Sequence, residues 1–149
     1  MSLRRIARPL LASIFINEGI DTLRNPQARI ESAEPALEKI TEPLNIPIDA
    51  TTAVRVNGTV MTVAGLALAT GKTPRIAASI LSASLVATTV VGHPFWSMRD
   101  KEERVVHRKA FTRNLVFLGG LLHAAVDTNG KPSRKWRKEQ ARKERERNS

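Results

Sequence analysis

Six polar side chains lie inside or beside the apolar stretches of this sequence, and their types suggest chemistry: Glu18, Asp21, Arg55, Asn57, His93 and Asn114. Glu18 and Asp21 are three residues apart, so a helix would place both carboxylates on one face. Polar groups in apolar helices are costly and usually face a bundle interior or a water-filled cavity. These six residues, here called the polar cluster, predict either a site for a quinone headgroup, a small anion or a proton, or a structural network between helices.

Two further polar residues, His123 and Asp127, belong to the last apolar stretch and are secondary candidates. A single histidine on an apolar helix usually finds a backbone or hydroxyl partner, and Asp127 is typical of a helix end. The sequence contains no cysteine, which excludes a disulfide framework, a thiolate nucleophile and a cysteine-ligated metal. No paired histidine–carboxylate spacing or phosphate-binding glycine loop occurs, so we predict no metal site and assign no catalytic residue.

Four segments of low charge must position these side chains, and they cover residues 9–23, 54–70, 76–96 and 115–126. A transmembrane helix needs about 20 mostly apolar residues, a length that only the third segment reaches cleanly. The first and fourth segments are short enough to be buried helices of a soluble bundle. Gly, Ala, Ser and Thr are abundant in the last three segments, as is typical of close helix packing in membranes. The sequence therefore favours an all-α fold, a four-helix transmembrane bundle in the lipid bilayer.

The first long connection carries apolar residues at helical spacing: Ile30, Ala33, Leu37, Ile40 and Leu44. This periodicity predicts an amphipathic helix in the loop between the first two segments. Pro35 is expected to bend or restart that helix. Because the opposite face is acidic, we expect the helix to cap the bundle and not to bind anionic lipid.

Basic charge is concentrated at the end of the chain. Residues 131–149 carry nine basic and three acidic residues, which is six of the net charge of +10. Such a tail suits nucleic acid, an anionic membrane face or an acidic protein. It lacks interleaved aromatic residues, so specific nucleic-acid binding is not expected. We predict a four-helix membrane domain over residues 1–130 and a basic cytoplasmic tail, helical or disordered, over residues 131–149.

The distribution of basic residues also predicts an orientation. With the N-terminus in the cytoplasm, an even number of spans returns the basic tail to the same side, in agreement with the positive-inside rule. Residues 99–113, with six basic residues, would then lie outside. Antiparallel neighbours in this arrangement bring the polar cluster to one level near the external face. No cleavable signal peptide is expected, because residues 17–21 do not form a cleavage site.

Several stretches make the sequence resemble the DoxX family of small bacterial membrane proteins over about residues 3–137. They are RRIARPLLASIFINEGIDTLRNP, VRVNGTVMTVAGLALATGKTPRIAA, GHPFW and FTRNLVFLGGLLHAAVDTNGKPSRKWR. The resemblance implies a four-helix transmembrane bundle in the bacterial cytoplasmic (inner) membrane. Relatives are linked to thiosulfate:quinone oxidoreduction, or to a redox-stress complex with a superoxide dismutase and a sulfurtransferase. Since this chain lacks cysteine, a bound quinone or a partner protein would have to supply any redox chemistry.

Two hypotheses follow for function. The first is a membrane anchor or scaffold of a redox or oxidative/thiol-stress complex, which binds soluble partners through its basic tail. The alternative is a quinone-linked oxidoreductase subunit or small-solute pathway that uses the polar cluster. A soluble helical nucleic-acid-binding protein is a third, disfavoured class, and a homo-oligomer is compatible with each membrane hypothesis.

Overall fold

Six α-helices and no β-strand make up the residues described by the computed structural model, which are 3–44, 48–127 and 134–147. The all-α prediction is therefore confirmed. The helices are α1 (Arg4–Arg24), α2 (Gln27–Leu44), α3 (Ala50–Thr70), α4 (Pro74–Gly92), α5 (Lys101–Val126) and α6 (Arg134–Arg147). The predicted boundary between the bundle and the tail, at residues 130 and 131, lies outside the described residues.

The central hairpin consists of α3 and α4, which are long and apolar enough to cross a membrane. The side chain of Asp49 caps the start of α3 by accepting a hydrogen bond of 3.0 Å from the backbone N–H of Thr52. Gly71 ends α3 in the left-handed conformation, with a φ of 67°, which glycine adopts without a steric cost. Pro74 then opens α4, where its missing N–H has no intrahelical partner to lose. This short turn makes α3 and α4 antiparallel.

The end of α4 differs from the prediction that the third apolar segment continues to residue 96. The helix ends at Gly92, and His93 leaves the helical conformation with φ −132° and ψ 56°. The physical reason is Pro94, whose ring disfavours helical geometry in the residue before it. Beyond this point Phe95 and Trp96 make edge-to-face contacts with Phe111 of α5, at ring-centroid distances of 5.3 and 6.1 Å.

The amphipathic periodicity of the first connection correctly predicts a helix, α2. The helix continues without interruption through Pro35. The prediction that it restarts at this residue is therefore wrong. Proline fixes φ near the helical value, and in this position it removes one backbone hydrogen bond without ending the helix. α2 packs against α3 and α4, across the end of the bundle where α3 begins and α4 ends.

One hydrophobic core is shared by α1, α3, α4 and α5. Its most completely buried members include Ala12, Leu68, Leu81 and Leu121, one from each helix. α1 and α3 approach most closely, because glycines on both helices remove the side chains that would separate them. A Cβ atom on Gly19 would lie 2.8 Å from the carbonyl oxygen of Gly58, and one on Gly65 would lie 2.7 Å from the Ile16 side chain.

Charged contacts join three chain segments at the end of the bundle opposite α2. The guanidinium of Arg8 lies 3.1 Å from the carboxylate of Asp127, and both side chains are largely buried. Arg75 donates a hydrogen bond of 2.9 Å to the carbonyl oxygen of Ala125. The start of α1, the start of α4 and the end of α5 therefore meet at one end.

The close approach of α1 and α3 predicts a position-specific response to a single methyl group. Gly19→Ala should destabilise the bundle by roughly 1–3 kcal/mol, because the obstructing atoms include, besides the Thr62 hydroxyl, backbone atoms of Gly58 and Thr62 that cannot move aside cheaply. Gly119→Ala is the matched control, since a Cβ there meets nothing within 4 Å. Thermal unfolding in detergent measures the stability of both variants. Equal stability would contradict the close packing of α1 against α3.

Candidate functional site

A cleft opens at the end of the bundle where α2 lies across α3 and α4. Its inner cavity, of about 180 Å³, has an apolar floor formed by Ile14, Phe15, Met61, Leu85 and Phe117. Its remaining walls are mostly polar and comprise Glu18, Arg29, Ser32, Asn57, Thr88, His93, Arg113 and Asn114. The inner cavity thus combines an apolar body with a polar rim.

An outer cavity of about 250 Å³ adjoins the first and lies between α2 and the α3–α4 hairpin. It is mainly apolar, with walls that include Ala33, Leu37, Val54, Ala87 and Val91. The two cavities share five lining residues: Arg29, Ser32, Asn57, Thr88 and Gly92. We therefore treat them as one cleft, in which a polar region is flanked on both sides by apolar walls.

The structure brings four of the six polar-cluster residues to this cleft: Glu18, Asn57, His93 and Asn114. The other two, Asp21 and Arg55, are exposed and are not among the residues that line it. Sequence reasoning expected Arg55 to lie near the two carboxylates of α1. In the described ion pairs their cation is instead Arg29 of α2, whose nearest guanidinium nitrogen lies 2.6 Å from Glu18 and 3.6 Å from Asp21.

Arg29 is the most important residue that sequence reasoning missed. It lies four residues before Ala33 and eight before Leu37, so all three share the face of α2 that lines the outer cavity. A cation at this position on an otherwise apolar stripe was the available sequence signal. The ion pair with Glu18 is half-exposed, so we expect it to contribute less than about 1 kcal/mol to stability, and its main effect is to hold α2 against α1.

The two asparagines connect helices as well as lining the cleft. Ser84 donates a hydrogen bond of 2.6 Å to the side-chain oxygen of Asn57, which joins α4 to α3. The amide of Asn57 also donates to the sulfur of Met61 at 3.4 Å. Asn114 donates to the hydroxyl of buried Thr89 at 3.0 Å, which joins α5 to α4. These contacts agree with the structural interpretation of the cluster and leave the asparagines on the cavity wall.

His93 forms a pair with His107 of α5, a residue that sequence reasoning did not select. Their Nδ1 atoms are 3.2 Å apart, so one ring donates and the other accepts. His93 lies beyond the end of α4, and partial burial is the main cause that lowers its pKa below the ordinary value. The positive charges of Arg113 and Arg29 and the neighbouring His107 lower the pKa of His93 further.

The secondary candidates lie elsewhere. His123 is exposed on the C-terminal part of α5, and Asp127 pairs with Arg8 at the opposite end of the bundle. Neither is among the residues that line the cleft. The contact of Asp127 fits the structural role that a helix-terminal carboxylate suggests.

The segment that supplies most of this cleft is also the one that comparison with known proteins identifies. The family model of DoxX matches residues 3–94, which is more than half of the chain and covers α1 to α4. The chain belongs to the DoxX family. Comparisons with curated proteins and with solved structures gave no match. Family membership and the two long apolar helices together support a DoxX-like membrane protein.

The lowered pKa of His93 predicts a pH-dependent stability. Well above pH 6.5, the ordinary histidine pKa, the residue is neutral in both folded and unfolded chains. As the pH falls through this value, the unfolded chain binds the proton more readily than the folded chain. Stability of the wild type should therefore fall as the pH drops from 6.5 towards the lower folded pKa. Unfolding in detergent across this range should show a weaker dependence for His93→Gln, whereas His123→Gln should keep the wild-type profile. A wild-type profile in His93→Gln would contradict the assignment.

Proposed function

We propose that the chain is a four-span integral membrane protein of the bacterial inner membrane that binds an amphiphilic small molecule in its cleft. The membrane part of this proposal rests on surface composition. Large apolar side chains are exposed on each of the four core helices, among them Leu10, Val63, Leu66, Ile80, Val86, Leu115, Val116 and Leu122. Lipid accommodates such a surface without cost, whereas water does not.

The shorter apolar part of α5 has a length compatible with spanning. At 1.5 Å per residue, residues 110–126 of α5 extend for about 25 Å, close to the thickness of a hydrocarbon core. Arg113 lies near one end of this stretch, where a long side chain reaches the interface with its charged group. The charged first half of α5 then lies in the aqueous phase, on the same side as the cleft.

The binding part of the proposal rests on a single observation: the cleft has a polar rim above an apolar floor, and both are built from the bundle helices. An amphiphile matches such a site with its head at the rim and its body on the floor. A quinone, the cofactor implied by the resemblance, has this character, and the side-chain amides of Asn57 and Asn114 offer hydrogen bonds for its carbonyl oxygens. A bound quinone would supply electron transfer, while the residues of this chain bind and orient it.

A scaffold function is the second candidate, and α6 is the observation that favours it. This helix carries eight basic and three acidic residues over 14 positions. A basic helix that follows a membrane bundle in the chain suits an acidic partner surface. The partners implied by the resemblance are a superoxide dismutase and a sulfurtransferase, in a redox or thiol-stress complex.

The four-span arrangement predicts which side of the membrane single introduced cysteines face. Since the natural chain contains no cysteine, it gives no background labelling. Ser97→Cys, in the loop before α5, should react with a membrane-impermeant maleimide on intact cells. Lys72→Cys in the α3–α4 turn and Gln140→Cys in α6 should react only after lysis. Labelling of Ser97→Cys and Lys72→Cys from the same side would overturn the proposed topology.

The proposed site predicts saturable binding of an amphiphile by the purified protein in uncharged detergent. We would titrate decylubiquinone and decanesulfonate by calorimetry and expect at least one to bind. Asn57→Leu and Asn114→Leu should weaken that binding about tenfold or more, because each removes a polar group from the rim. Asn17→Leu, at an exposed position of α1, is the matched control.

Absence of binding by both probes would exclude the small-molecule function. Deleting residues 131–149 separates the two candidates, since the deletion should leave cleft binding intact and should release soluble partners only if the protein is a scaffold.

A further inference from the structure

Among the described residues, the ion pairs at the inner cavity leave one of its two arginines without a carboxylate partner. Two guanidinium groups, Arg29 from α2 and Arg113 from α5, and one carboxylate, Glu18 from α1, lie on its walls. Glu18, at 2.6 Å, and Asp21, at 3.6 Å and outside the lining, both pair with Arg29. Among the described residues no ion pair involves Arg113. Arg113, an exposed residue that lines the cavity, is therefore the cation at the polar rim for which the described residues supply no carboxylate, and it favours a ligand with a negatively charged head.

The same wall carries a group that can change its protonation. His93 lines the inner cavity and contacts His107, and the two Nδ1 atoms at 3.2 Å hold one proton between them when both rings are neutral. A further proton enters at the free Nε2 of the donating ring, so the hydrogen bond between the two Nδ1 atoms is kept and the pair gains a positive charge beside Arg113 and Arg29. An anion in the cavity offsets that unfavourable charge.

We propose that the cleft selects ligands with an anionic head and that binding of this anion is coupled to uptake of one proton by the His93–His107 pair. The inference rests on the proposed small-molecule function and specifies its ligand class. The charged and titratable groups near His93 come from three other elements: Glu18 of α1, Arg29 of α2, and His107 and Arg113 of α5. The pair itself connects the loop after α4 to α5.

The burial and positive surroundings that lower the pKa of His93 give the direction of the coupling. Because the anion favours the protonated histidine, the protonated histidine favours the anion by the same factor. Affinity for a permanently charged anion should therefore rise as the pH falls, by up to about tenfold per pH unit for one proton. Affinity for an uncharged amphiphile should not rise in this way.

Decanesulfonate is a suitable probe, since its head stays ionised throughout the range of histidine titration. Calorimetry in two buffers with different ionisation enthalpies counts the protons taken up on binding. We expect net uptake, of at most one proton per sulfonate, in the pH range of histidine titration, and none with decanol, the uncharged probe of equal chain length. His93→Gln and His107→Gln should both abolish the uptake. His123→Gln, far from the cleft on α5, should retain it.

Two results would overturn the inference. The first is sulfonate binding without proton uptake by the wild type. The second is proton uptake that persists in both His93→Gln and His107→Gln, once thermal unfolding has shown that the two variants are folded. Binding of decylubiquinone without binding of sulfonate would also overturn it and leave the proposed function intact. If neither compound binds, the proposed function itself fails.

A competition experiment distinguishes an anion that enters from the aqueous phase from one that enters from the membrane. Ethanesulfonate has the same head without the apolar body. Competition by ethanesulfonate at similar concentration supports an anion from the aqueous phase, and competition by decanesulfonate alone supports one from the membrane. In each case the proton uptake is the same, because the shared head group causes it.

Discussion

The close approach of α1 and α3 is the contact on which the rest of the structure depends. Gly19 and Gly58 let the two backbones meet where any larger residue would obstruct them. This contact sets the position of Glu18, one residue away on α1, and of Asn57, one residue away on α3. Two members of the cleft are thus adjacent in sequence to the glycines that fix the helix pair. The cleft begins where this tight packing ends.

The location of the cleft follows from which contacts join the helices at each end of the bundle. At one end of the bundle, Arg8 with Asp127 and Arg75 with Ala125 join α1, α4 and α5 directly. At the other end α2 is inserted, and it is held to α1 by the ion pair of Arg29 with Glu18. Since α2 lies across α3 and α4, it leaves a space that small residues such as Ala33 and Ala87 do not fill. The outer part of the cleft is the consequence.

The sequence predicts the helices better than it predicts their contacts. α3 and α4 follow from length and composition, and alternation of direction places Glu18, Asn57, His93 and Asn114 at one level. Arg29 carried a signal, as a cation on the apolar stripe of α2, but its partner Glu18 depends on how α2 crosses the hairpin. His107 and Arg113 carried no such signal, because their place depends on how α5 is rotated. The end of α4 was predictable in principle from Pro94, whose effect on the preceding residue is local. Properties of one helix were therefore accessible, and contacts between helices were not.

Structural and binding roles of the cleft asparagines are compatible, because an amide has more hydrogen-bonding capacity than the helix contacts use. The side chain of Asn57 offers two N–H donors and two acceptor lone pairs. Its described contacts take one lone pair, for Ser84, and one N–H, which points to the weak acceptor sulfur of Met61. A ligand oxygen is a better acceptor than this sulfur. The network can therefore hold α3 and α4 together while it presents a donor to the cavity, and a residue that stabilises the bundle is also suited to bind.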